Sequence, residues 1–409
     1  MHQKPLEPAV QLRRIVALDV LRGMAILGTF ATNAGIFLGA AYADDGVEAP
    51  SAVNSFVAAA LGLVTDGKWI GLLTIMFGIG LEIQRQSAIR KGERWLGTYP
   101  WRAALLVLDG LLNYLFIFEY DVLMGYGLTG LVVAVVLVTS PRVQKWVMGI
   151  AVAVHVGVLL YMDFGFMFLD QYAAEAGDYA ELPEEELARL EAEWGMGQDW
   201  MVPTEGPATY WDGVSMRWHT FWDGGRAEIP IMFMMGMGLF LVGAYLYRAG
   251  IFEESGRKLR RWVMILSFGV ALPIDWGTRL FANGMLASTN RYLTSACVSI
   301  GLLALVAHFY ASGRQTGVVG KMLTNVGRMA LTCYIGQNLI ASVLFYEWGF
   351  NLARHMRFGV WNEFIAFGFV WVILIAFSTL WLRFFKRGPV EWLWHWMYVR
   401  LSSLTAGRR

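Results

Sequence analysis

Asn113, Glu119 and Asp121 are residue types that could hold and move a proton, gathered within one short stretch. A carboxylate at the edge of hydrocarbon is a candidate general base, and an asparagine beside it can donate to an oxyanion without taking a proton itself. Lys68, with Asp66 just before it, and Asn33 fall at a similar depth in the apolar segments that surround them. These groups are expected to share one polar cavity, although Asp66, Glu119 and Asp121 also read as helix caps at the water line. A second set is Asp19, Arg22 and Arg328. Asp19 and Arg22 are three apart and meet on one helical face. Together with Arg328 they suit a small basic pocket for a cytoplasmic anion, since guanidinium binds phosphate bidentately. The alternative is a structural Asp–Arg pair and an arginine snorkelling to headgroups. Of the six histidines, His219 lies in a tract, 211–219, rich in groups that could bind or shuttle protons. His155 and His308 read as intramembrane histidines satisfied by neighbours. His2, His355 and His395 fall in a tail, an external loop and an interfacial segment. No glycine-rich phosphate loop, zinc spacing or serine-hydrolase elbow occurs. The two cysteines, Cys297 and Cys333, lie in apolar segments and suggest neither a metal site nor a redox pair.

The elements that must position these groups are membrane helices. Of 409 residues, 56% are hydrophobic and 16% charged, against roughly 25% charged in soluble chains. The apolar residues come in runs of about 17 to 25, enough to cross ~30 Å of hydrocarbon. The expectation is an all-α polytopic bundle, a single membrane domain over 1–409. Its roughly ten spans are 15–38, 68–86, 102–118, 121–139, 145–162, 227–247, 260–276, 291–311, 323–345 and 360–382. The first is long and lacks a cleavage site, so it reads as a retained helix. Lysine and arginine concentrate in alternate loops: 85–102, 141–145, 248–261, 313–321 and the stretch after Arg383. The positive-inside rule then places both termini in the cytoplasm. The 33 basic and 32 acidic residues leave no net field to attract nucleic acid.

The one long loop, 163–225, is expected outside. Its stretch 163–199 holds eleven acids and one base, Arg189. Within it, 182–195 reads as a short helix started by Pro183 and stopped by Gly195, capping the outer mouth or acting as a substrate-selecting lid. The tail 388–402 reads as an interfacial helix, with Trp392, Trp394, Trp396 and Tyr398 at headgroup depth. No internal repeat is evident, which disfavours inverted-repeat transporters.

Several motifs resemble those of a known family. The run 14–28, RIVALDVLRGMAILG, looks like the opening of the bacterial YeiB family. Met76-Phe77-Gly78-Ile79-Gly80 is similar to its second-helix signature. Asp121-Val122-Leu123-Met124-Gly125-Tyr126 resembles its Asp-Ile-Leu-x-x-Tyr element, and 327–334 with Gln337 its late-helix signature. The run 388–394, GPVEWLW, resembles its C-terminal close. Asn113 stands where the family commonly has histidine, and Cys333 where it often has asparagine. The resemblance implies an inner-membrane, multi-pass bacterial protein related to transmembrane acyltransferases. These use a cytoplasmic acyl-CoA as donor substrate, with no tightly bound cofactor, to modify a lipid or glycan acceptor across the bilayer. With Asn113 unable to act as base, that role passes to Asp121, Glu119, His219 or the substrate, and Lys68 or Asn113 would hold the oxyanion. Asp19, Arg22 and Arg328 would receive the CoA phosphates. A transporter or exporter of a small amphiphilic solute, or a non-catalytic envelope-assembly scaffold, would use the same charges differently.

Overall fold

Small residues decide how these helices meet, because lipid offers no hydrophobic drive between them and contact must come from close packing. The structure, a computed structural model, describes residues 15–39, 52–175, 209–221, 228–282, 284–356 and 360–406. It is helical throughout, with no strand among the described residues. The elements are α1 (Val16–Phe37), α2 (Ala52–Thr65), α3 (Lys68–Arg90), α4 (Tyr99–Phe116), α5 (Leu123–Val136), α6 (Pro141–Glu175), α7 (Tyr210–His219) and α8 (Glu228–Arg248). After these come α9 (Glu254–Phe281) and α10 (Ala287–Ala311), then α11 (Val318–Arg328), α12 (Ala330–Phe345), α13 (Trp361–Phe384) and α14 (Pro389–Ala406).

Three helix pairs cross on reciprocal glycines. A Cβ on Gly23 of α1 would strike the Leu323 carbonyl of α11, and one on Gly327 of α11 would strike the Asp19 carbonyl of α1. Gly78 of α3 and Gly243 of α8 stand in the same relation to the Phe240 and Ile75 carbonyls, and a Cβ on Gly110 of α4 or Gly127 of α5 would crowd the Met124 amide nitrogen or the Val107 side chain and Ala103 carbonyl. Helix α1 is the most buried, touching α3, α10, α11, α12 and α13. The Trp371 indole of α13 donates to its Leu27 carbonyl at 2.9 Å. Helix α6 and helix α13 turn Trp146, Ile150, Phe369, Val372 and Leu380 outward, as expected of faces solvated by acyl chains.

Among the described residues seven helical runs are long and apolar enough to cross a membrane; α2 and α3 count there as one, and α5 and α12 are apolar but shorter. All ten expected spans fall on helices, with three differences. Helix α2 is an addition, joined to α3 through Gly67, whose φ of 75° is the left-handed region open to glycine. A Cβ there would also strike the Arg291 carbonyl. The expected span 323–345 breaks at Met329 (φ −114°, ψ 38°). Glu391 of α14 then caps the second half, accepting from the Leu331 and Thr332 amides at 2.8 and 3.0 Å, an anion at a helix N-terminus. Finally, α6 continues into the expected loop as far as Glu175. The short helix expected at 182–195 lies outside the described residues. The tail is helical over Pro389–Ala406 with Trp392 and Trp396 exposed.

Candidate functional site

Helix α4 carries a polar stripe. Arg102, Asp109 and Asn113 are seven and four residues apart, which at 3.6 per turn keeps them on one face. The chain then turns back through a short buried hairpin, with Phe118, Asp121 and Val122 out of solvent, before α5 begins. Asp121 is thereby folded against the middle of α4, where a Cβ on Gly110 would meet its Oδ2. Asn113 Nδ2 donates to Asp121 Oδ1 at 2.9 Å. The Tyr334 hydroxyl of α12 donates to the same oxygen at 3.3 Å, and the Met124 amide donates to Oδ2 at 3.2 Å. Tyr126, one turn into α5, shares a hydrogen bond with Thr74 of α3 at 2.7 Å. At the other end of the stripe the Arg102 guanidinium lies 4.5 Å from the Tyr398 ring and 5.6 Å from Trp394. It donates to Gln84 at 2.9 Å, beside a cleft of about 150 Å³ that Lys91 and Arg94 also line.

Helix α7 closes the opposite end. Thr209 and Asp212 form its capping box. From its inner face Arg217, 4% exposed, donates through Nε to the Leu115 carbonyl at 3.0 Å and pairs with Glu119 at 3.8 Å. Tyr346 also donates to Glu119, at 3.3 Å. Burial pushes the Glu119 carboxyl above the usual carboxylate range, against the pull of Arg217. His219 is exposed, and its Nδ1 meets the Ser215 carbonyl of its own helix at 2.8 Å. Two residues along a helix is about half a turn, so the fold turns Arg217 inward and His219 outward.

The expected single cavity divides. Lys68 is buried, but its Nζ lies 2.7 Å from Asp275 of α9 and 3.3 Å from Ser295 of α10. The same network holds Arg279, paired with Asp66 and Asp275, and Arg291, paired with Asp66 at 2.6 Å. Lys68 is therefore placed with α9 and α10, whereas Asp121 is placed with α4 and α12. The physical reason is the α2–α3 turn, which docks on the start of α10, where a π-helical turn, Asn290–Thr294, presents Arg291 and Thr294. A cleft of about 260 Å³ opens beside the network, with Asp66, Arg279 and Asn290 at its polar end. Asp19 and Arg22 pair at 3.6 Å. The Gly327–Asp19 contact brings Arg328 to the same end of the bundle, where it donates to the Lys386 carbonyl at 3.5 Å.

Several participants were not singled out from sequence. Asp109 and Asp275 sit inside the expected spans 102–118 and 260–276, and an acid within a span is itself a signal. Glu82, fully buried between Arg85 at 3.0 Å and Arg248 at 2.8 Å, carries the same signal. For Tyr334, Arg217 and Arg291 the sequence does not say which partner they meet, because only the fold shows which way they face.

A helical bundle with buried carboxylates, and helices of membrane-spanning length and apolarity, defines a multi-pass membrane protein. A family model described as a protein of unknown function, DUF418, matches residues 246–400. The chain is 30% identical to the uncharacterized protein YeiB of Escherichia coli K12, covering 96% of this chain and 98% of that one. It is 26% identical to the uncharacterized protein YxaH of Bacillus subtilis 168, over 95% of each. It is 24% identical to an uncharacterized 39.9 kDa protein from the amylase 3' region of Bacillus acidopullulyticus, over 96% of each. The chain belongs to the YeiB family. No solved structure matches it significantly.

Proposed function

We propose that the protein is an integral-membrane acyltransferase of a bacterial inner membrane. It moves an acyl group from a cytoplasmic acyl-CoA to an envelope lipid or glycan. In this reading the chain crosses the membrane ten times, and the lysines and arginines of alternate loops put both termini in the cytoplasm. The observation that carries the reading is Asp121, 6% exposed, held in a fixed orientation by Asn113, Tyr334 and the Met124 amide. Such a carboxylate can take the proton of an acceptor hydroxyl or amine as that atom attacks the thioester carbonyl. Asn113 gives one Nδ2 hydrogen to Asp121 and keeps a second to offer the developing oxyanion. The carbonyl re-forms as the C–S bond breaks, and the thiolate leaves and is protonated. Lys68, engaged by Asp275, is left out of this step. Arg22 and Arg328, with Lys91, Arg94 and Arg102 of the neighbouring cleft, supply positive charge where CoA phosphates would arrive.

Mass spectrometry of envelope lipids and glycans tests this, comparing a deletion strain complemented with the wild-type chain or with Asp121→Asn. The expected result is a species heavier by one acyl group that only the wild type restores. A lost base costs about 10²–10⁴-fold in rate, enough to erase it. Identical profiles in the deletion and complemented strains refute acyl transfer. Export of a small amphiphile is a second reading, favoured by the cleft whose apolar wall includes Leu63 and Leu280 and whose polar end holds Asp66 and Arg279.

A further inference from the structure

Two buried oxygens on α4 lack hydrogen-bond partners among the described residues: Oδ2 of Asp109 and Oδ1 of Asn113. Both residues are at least nine-tenths buried, Asp109 at 9% exposure and Asn113 at 1%. An orphaned buried acceptor costs about 1–3 kcal/mol, and more when it is charged. The orientation of the Asn113 amide is fixed independently. Its Nδ2 must face Asp121, since the reversed amide would set an oxygen against a carboxylate oxygen. Its Oδ1 is then the end that needs a donor. Asp109 lies four residues earlier, one turn away on the same face, where side chains at this spacing meet. It has the complementary defect, an oxygen that completes no hydrogen bond.

We propose that Asp109 is a neutral carboxylic acid whose Oδ2–H donates to Asn113 Oδ1. A single proton satisfies both orphans. It completes a chain in which Asp109 donates to Asn113 and Asn113 donates to Asp121. Asp109 is then a positioning residue: it locks the Asn113 amide in the orientation that holds Asp121 as the carboxylate of the pair. The groups that face Asp109 agree with a neutral form. Asp121 bears on it from the hairpin and the Trp394 indole from α14. The Trp394 Nε1–H is directed toward Asp109 without reaching full hydrogen-bond geometry, so neither it nor Asp109 Oδ2 is satisfied, and no cation pairs with Asp109 among the described residues. The nearest cation on α4, Arg102, is two turns away and engaged with Gln84, Tyr398 and Trp394. A like-charged pair in this setting would oppose ionisation of both carboxyls. The inference extends the proposed role of Asp121 as base, and its test needs no substrate.

The test is infrared difference spectroscopy of the purified full-length protein at neutral pH, exchanged between H₂O and D₂O. It compares the wild type with Asp109→Asn and Asp121→Asn. A protonated carboxylic acid has a C=O stretch separate from the amide and carboxylate bands. The wild type is expected to show it, Asp109→Asn to lose it and Asp121→Asn to keep it. Asp109→Asn should fold with an unchanged thermal midpoint, because its amide N–H donates to Asn113 as the acid does, whereas Asp109→Leu should melt lower. A wild-type spectrum without the band overturns the proposal, as it would if a water rather than a proton satisfied the two oxygens. So does a band removed by Asp121→Asn and kept by Asp109→Asn, or an Asp109→Asn chain that fails to fold. An intact Asp109 band with no acyl difference in the envelope would sink acyl transfer alone.

Discussion

Replacing Lys68 with methionine keeps its length and removes its charge, leaving the 0%-exposed side chain of Asp275 without the ammonium 2.7 Å away. At that separation and an effective dielectric of about 20, the Coulomb attraction is ~6 kcal/mol before desolvation is subtracted. Breaking a buried pair from one side costs about 3–5 kcal/mol. Asp275 retains Arg279 at 3.2 Å and Thr294 at 2.6 Å, so the lower end applies, ~3 kcal/mol. At ~2–4 °C per kcal/mol for a chain of 150–250 residues, and less for a longer one, thermal unfolding in detergent should fall by a few degrees, at most ~6 °C. Asp275→Leu should cost at least as much, since Lys68 and Arg279 both lose a partner. The Lys68→Met/Asp275→Leu double variant should recover part of the loss, giving a coupling of about 1–3 kcal/mol. Additive single losses would refute the pairing. A Lys68→Met chain as stable as the wild type would refute the larger argument that this network staples α3 to α9 and α10.

Gly327→Val should destabilise by about 3 kcal/mol, the upper end for overpacking, because its Cβ would strike backbone of α1. Gly157→Ala on α6, with open space around it, should be neutral or stabilising by up to ~1 kcal/mol; parallel melting curves compare them. Glu119 has a carboxyl pushed up by burial, so its contribution to stability is full below the usual glutamate range. That contribution is lost as pH rises through the elevated value. A thermal-midpoint series across mildly acidic pH should show the decline in the wild type and a flatter line in Glu119→Gln. Asn113→His places a group able to accept a proton beside Asp121, and under the acyltransfer reading it should raise the yield of the acylated envelope species. No gain by mass spectrometry would count against a weakened enzyme.

The fold class was written in the composition and apolar runs, because crossing hydrocarbon demands ~20 apolar residues and internally satisfied backbone whatever the packing. The apolar helical segments were legible for that reason, as were single residues such as Asp121 and Asn113, whose eight-residue spacing across a helix end brings them together. Pairings between distant segments were not legible. Lys68 and Asp275 are 207 residues apart, and no local pattern distinguishes Asp275 from Asp121 as the acid that lysine will meet. The glycine crossings make that choice by fixing which helices touch and at what depth. The break at Met329 depends on Glu391 arriving from α14 to cap α12. The exchange of roles between Arg217 and His219 depends on which side of α7 lies against the hairpin. Sequence set which groups the membrane must accommodate, and tertiary packing set their partners, because the low dielectric makes each buried charge take whichever opposite charge or dipole the close-packed backbones bring within reach.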